Sequence, residues 1–142
     1  MNISTRFTVA LHILTLLASS PDEALTSEYI AGSVNTNPVV VRRLLGTLRK
    51  VGIVSSQPGN GGGWELAKDP AKLTLRDVRR AVQESSPFSM HSQPPNPRCP
   101  VGKNIQRVLS PVYDQAERVM EDELSHTTIL SLLSSVQRHS SS

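Results

Sequence analysis

TSEYIAGSVNTNPVVVRRLLGTLRKVGIVSSQPGNGGGWEL, residues 26–66, is the stretch on which the fold turns. Thr26 is a residue type that caps helix N-termini, and Tyr29, Ile30 and Val34 follow it at helical spacing. Residues 35–38 break the pattern, because Asn and Pro both favour turns. Pro38 suits the first position of a new helix, where the N–H it lacks would have no partner. Val41, Leu44, Leu45 and Leu48 then form the apolar stripe of a helix reaching about Val51, and Gly52 ends it. Residues 53–56 read as a short strand, 58–63 as an extended glycine-rich turn and 64–66 as the returning strand. Helix, turn, helix and glycine-tipped hairpin make a winged helix-turn-helix.

On the N-terminal side, Ser4 is a possible cap for a helix over 4–19, with Phe7, Ala10, Leu11, Leu14, Leu17 and Ala18 at core spacing. On the C-terminal side, Thr74 caps a helix carrying Leu75, Val78 and Val82. Residues 85–100 then crowd Pro and Ser together, the composition of a loop or linker. Beyond it Ile105, Val108, Leu109, Val112, Ala116, Val119, Met120 and Leu124 recur every three or four residues. That spacing predicts an amphipathic helix of about twenty residues, which Pro111 either kinks or restarts. Thr127 or Thr128 caps a last helix with Ile129, Leu130, Leu132, Leu133 and Val136. The expected class is therefore mainly α with a small β-wing and a long C-terminal dimerisation helix. Its expected divisions are a winged helix-turn-helix over 1–84, a Pro/Ser-rich linker over 85–103, and the long and terminal helices over 104–142.

The chain of 142 residues carries a net charge of +3, and the charge is unevenly spread. Residues 1–84 hold ten Lys/Arg against seven Asp/Glu, whereas 85–142 hold five of each. No acid lies between Glu28 and Glu65, yet Arg42, Arg43, Arg49 and Lys50 do. A basic stretch without neighbouring acids is the footprint expected of phosphate contact, although a solvated helix face looks the same by charge alone.

A helix-turn-helix presents the N-terminal side chains of its second helix to the DNA major groove. Here those are Asn37, Val39, Val40, Arg42 and Arg43. Either arginine suits guanine O6 and N7, either valine a thymine methyl, and Arg49 and Lys50 fall further along, at phosphate distance. Gly59, Asn60 and Gly61 at the hairpin tip let backbone N–H groups approach sugar and phosphate. The turn is not a nucleotide-binding loop, since no Lys-Ser/Thr pair and no helix follow it. The alternative is a winged helix that binds a protein partner and not DNA.

No enzyme chemistry is expected. His12, His91, His126 and His139 have no carboxylate or cysteine at a ligand or nucleophile spacing, and no metal site is read. The segment after Met1 has no cleavage site, and no apolar run approaches the ~18 residues that span a bilayer, so a cytoplasmic protein is expected. The stripe of the long helix, too extended for one small domain, is expected to pair with its mate in a homodimer. The alternative is that it folds back on its own domain.

The run Leu48-Arg49-Lys50-Val51-Gly52-Ile53-Val54, followed by Gly59-Asn60-Gly61-Gly62-Gly63-Trp64-Glu65-Leu66, resembles the IscR/NsrR/CymR-type regulators of the Rrf-two superfamily. Leu73-Thr74-Leu75-Arg76-Asp77-Val78 and the two late helices extend the likeness over nearly the whole chain. The resemblance implies homodimeric winged-helix transcription factors, often repressors, on palindromic operators in double-stranded DNA. It also makes Ser4 and Arg6, in the first-helix region, candidates for backbone contacts; Thr26 is a further candidate DNA-binding residue. Arg42 and Arg43 stand where the cluster-binding branch often has Glu and Gln, and Pro58 stands where many members have a wing arginine. That branch carries three linker cysteines, since thiolates hold an iron–sulphur cluster. This chain offers Cys99 alone, so no cofactor is expected and the likeness is to the cysteine-poor, YwnA-like branch. Cys99 is a candidate redox sensor beside Arg98 and just before a helix, and a small-molecule effector is the other candidate input. An unreactive linker cysteine is the plainer reading.

Overall fold

The computed structural model describes residues 3–82 and 85–140, with side chains from Thr5 onward. The chain forms two compact units, one of residues up to 84 together with those from 124 onward, the other of residues 85–123.

The first unit opens with α1 (Ile3–Ala18), α2 (Ser27–Val34) and α3 (Pro38–Lys50). The antiparallel hairpin of β1 (Val54–Gln57) and β2 (Gly63–Leu66) follows, then α4 (Leu75–Ala81). Each boundary has a local cause. Thr26 accepts a hydrogen bond from the N–H of Tyr29 at the start of α2. Asn35 takes the left-handed conformation (φ 64°) at its end, so the N–H of Thr36 reaches the carbonyl of Ala31. Asn37 caps α3 through the N–H of Val39, and Pro38 occupies the first turn. At the other end of α3, Gly52 (φ 77°) donates to Arg49 and Ile53 donates to Leu48. That pair of bonds is a Schellman stop. Thr74 and Asp77 exchange side-chain and backbone bonds as a capping box for α4.

The hairpin pairs Val54 with Leu66 and Gln57 with Gly63, and Leu25 bridges to Trp64 on the outer side of β2. Gly63 lies at φ 153°, and a Cβ there would strike the carbonyl of Leu25. Beneath the hairpin sits a core of fully buried Ile13 and Leu14 from α1, Ile30 from α2, and Val41, Leu44, Leu45 and Leu48 from α3. Each such side chain contributes about 1.5–3 kcal/mol by leaving water.

The terminal helix α6 (Ile129–Ser140) was expected to stand with the long helix in 104–142; it lies instead against α1. Backbone pairing explains this. The N–H of Leu75 donates to Thr127, that of Ile129 donates to Leu73, and that of Leu130 to Pro70. Ile129, completely buried, joins the core between them. Where α6 rests on α1, Leu11, Leu16, Leu132 and Leu133 line a half-open groove of about 400 Å³. His12 bridges α1 to Ser33 of α2 on its wall, at 2.9 Å.

The second unit is built on α5 (Pro100–Leu124). The helix begins at Pro100, inside the expected linker, because Cys99 already accepts the first helical bond from Lys103. Pro111 lies within one continuous helix and does not restart it. Ten or more helical residues on either side already supply the nucleus, and the proline is exposed, so water can reach the carbonyl it leaves unpaired. The preceding segment runs antiparallel to α5: Phe88 stacks on Tyr113 at 5.1 Å, His91 meets Gln106 at 3.4 Å, and Asn96 closes on Gly102. It is a strap along the helix and not a free linker.

Candidate nucleic-acid interface

Helix α3 has one face in the core and one in solvent. Val41, Leu44, Leu45 and Leu48 fix its roll, which turns Asn37, Val39, Arg42, Arg43, Arg49 and Lys50 outward. Val39 is 51% exposed, far more than a valine needs for packing. Val40, expected beside it, is half-buried, because it falls nearer the core-facing side of the helix. Of the polar groups, Asn37 has spent its carbonyl oxygen on the cap of α3, leaving its amide N–H groups to solvent.

The two neighbouring arginines differ. The Arg42 guanidinium donates through Nη1 to Oε1 of Glu28, at 3.1 Å, both side chains lying in solvent. The Arg43 guanidinium has no such partner among the described residues. The basic stretch that looks uncompensated along the chain is therefore partly compensated in space, by an acid fourteen residues earlier. Glu28 stands in the first turn of α2, where the helix dipole favours a carboxylate. Next to it Tyr29, spaced as a core residue, is 60% exposed. Thr26 is also exposed, with its hydroxyl engaged in the cap of α2.

Trp64 ties the wing to this surface. Its Nε1 donates to Oγ of the buried Ser27 at 3.2 Å, and the Arg49 guanidinium lies over its ring at 5.6 Å from the centroid. Arg49 also reaches Oγ of Ser56 on β1, at 3.4 Å. Arg49, expected as a loose phosphate contact, is thus held in place, while Lys50 is exposed at the end of α3. At the wing tip Pro58, Gly59, Asn60 and Gly61 are all exposed, with Gly59 and Gly61 at positive φ and the N–H of Gly62 closing the turn on Gly59. Only glycine meets those two dihedrals without strain.

Of the first-helix candidates, Arg6 is half-buried on α1, and the side chain of Ser4 lies outside the described residues. Glu28, Tyr29 and Trp64 are the surface or anchoring residues that sequence spacing misses. The lone acid before a basic helix was the one available signal for Glu28.

In the second unit no residue of α5 is buried. Val101, Val108, Val112 and Val119 are each about 60% exposed, and Ile105, Leu109, Ala116 and Met120 are half-exposed beside them. Cys99 is exposed just before the helix. The donor set does not fit an iron–sulphur cluster, which takes several thiolates, whereas the chain has one cysteine. Among the described residues no three His, Cys, Asp or Glu gather as metal ligands. No described helix is long and apolar enough to cross a membrane.

A family profile described as Rrf2, iron-dependent transcriptional regulator, matches residues 3–135. A Bacillus subtilis protein provisionally named HTH-type transcriptional regulator YwnA is 48% identical over 128 residues, spanning 89% of this chain and 93% of its own. A crystal structure described as a DNA-binding protein, also a provisional description, superimposes with a TM-score of 0.72 at 44% identity, covering 90% of this chain and 98% of the other. The structure of CymR, the global cysteine regulator of B. subtilis, superimposes at 0.66 with 25% identity, covering 94% and 97%.

Proposed function

The chain belongs to the Rrf2 family of helix-turn-helix transcriptional regulators, and from that premise we propose a homodimeric, sequence-specific repressor that binds a palindromic operator. The observation that carries this reading is the split character of α3. Its inner face is fixed by four buried side chains, while Val39, Arg42 and Arg43 are exposed on the outer face, Arg42 paired there with Glu28. In the major groove an arginine pairs with guanine O6 and N7, and a valine covers a thymine methyl. Arg49, Lys50, Thr26, Arg6 and the backbone of Gly59, Asn60 and Gly61 would take phosphate and sugar, fixing register without reading sequence.

The apolar stripe of α5 supports the dimer. A second copy laid along Ile105, Val108, Leu109, Val112, Ala116, Val119 and Met120 removes that stripe from water. Two-fold related recognition helices on a palindromic operator would meet half-sites about 34 Å apart or a multiple of that distance. The dimer works without a cluster. Its input is oxidation at Cys99 or a small neutral ligand in the groove between α1 and α6.

The test is fluorescence anisotropy of the purified protein on its own upstream DNA, at about 50 and 200 mM salt, beside Arg42→Ala/Arg43→Ala. Specific binding that weakens by orders of magnitude with salt, and disappears in the double variant, is the expected result. A reduced, dimeric protein with no DNA affinity would shift the reading to a protein-interaction module. Replacing Cys99 by Ser should leave DNA affinity intact and abolish a peroxide response; a response that survives removes Cys99 as the input.

A further inference from the structure

We infer that Glu28 is a specificity-determining positioning residue: its carboxylate holds Arg42 for base reading and withholds it from phosphate. The inference rests on the DNA-binding reading above and concerns a residue on the other helix of the motif.

An acid on a surface that meets phosphates is costly, because it repels the polyanion that the neighbouring arginines attract. Glu28 nevertheless stands there, exposed, and its partner is the recognition helix. The contact is monodentate, one Nη1 to one Oε1 at 3.1 Å, so the Nε and the second Nη of Arg42 remain available as donors. A free arginine is a long, mobile side chain that any phosphate can capture. Pinned at one corner, it gives up rotamers before the DNA arrives and presents its other donors in a fixed direction. Arg43, one residue on and with no such partner among the described residues, serves as the internal contrast. The bland account of Glu28 is a helix-dipole acid in the first turn of α2. That account predicts a change in folding stability and none in base preference.

The two accounts separate by selecting bound sites from a pool of random-sequence duplexes, with wild type, Glu28→Ala, Glu28→Gln and Arg42→Ala. Non-specific affinity is measured in parallel on duplex lacking the selected site. In Glu28→Ala the released Arg42 should tighten non-specific binding several-fold and steepen its salt slope by about 1. Discrimination at one base pair per half-site should fall roughly tenfold, at the position that Arg42→Ala also relaxes. Glu28→Gln keeps an acceptor oxygen without the charge, so it should retain most of the discrimination while still tightening non-specific binding. A Glu28→Ala/Arg42→Ala pair should show no loss of discrimination beyond that of Arg42→Ala alone. Unchanged base preference in Glu28→Ala, or losses that simply add in the pair, would overturn the inference while leaving the regulator intact. Failure of the wild type to select any site would overturn both.

Discussion

The Arg49 guanidinium lies over Trp64, 5.6 Å from the ring centroid, joining the end of α3 to the returning strand of the wing. The same indole donates to Ser27 at the start of α2, so one side chain links both helices of the motif to the hairpin. Wing and α3 are thereby held together as one surface.

Replacing Trp64 by Phe tests that link. The ring face under Arg49 survives, but the buried Ser27 hydroxyl loses its donor. We expect a loss of about 1 kcal/mol in urea unfolding. DNA affinity should fall less than in Arg49→Ala. A variant as stable as wild type would mean that the Trp64–Ser27 bond carries no net stability.

Two glycines should answer the same substitution with opposite signs. Gly63→Ala forces a Cβ against the Leu25 carbonyl at φ 153°, and should cost about 2 kcal/mol or more, read as a lowered Tm. Gly46→Ala, within α3 and facing open space, should gain about 0.5–1 kcal/mol and raise it. Equal shifts would remove the close approach of wing and Leu25 as the reason for glycine at 63.

Ile129→Ala should destabilise the DNA-binding unit by about 3 kcal/mol, because the residue is fully buried among side chains from other elements of that unit. Chemical denaturation followed at Trp64 reports it, since the indole belongs to the same unit. An unshifted midpoint would return α6 to the long helix.

Val108→Glu together with Val112→Glu should turn a dimer into a monomer by sedimentation velocity, with Tm little changed at high protein dilution. Both valines are about 60% exposed in the single chain, so the charges are tolerated there and not across a pairing. A dimer that persists would exclude this stripe as the interface.

Much of the DNA-binding unit was legible in the sequence because its signals are local. Thr26, Pro38, Gly52 and Thr74 each act within five residues, and the structure uses every one at a helix start or stop. The partnership of Glu28 with Arg42 was not legible, since it depends on the angle between two helices and not on either one. Tyr29 misled for a related reason: on a helix of only eight residues, period alone cannot separate the core face from its rim. The return of α6 escaped because it rests on backbone pairing between 127–130 and 70–75, which leaves no mark in residue type. The strap along α5 escaped likewise, as proline-rich composition describes a chain without regular structure, and says nothing of what it lies on.

The stitching of residues 127–130 to 70–75 also puts the DNA-binding unit on a clock. During synthesis the end of the wing at Leu66 emerges roughly 60 residues before Ile129, a delay of about 3–13 s at ordinary elongation rates. Until then the core lacks a side chain that it finally buries completely. A nascent chain therefore exposes the arginines of α3 before the core behind that helix is complete.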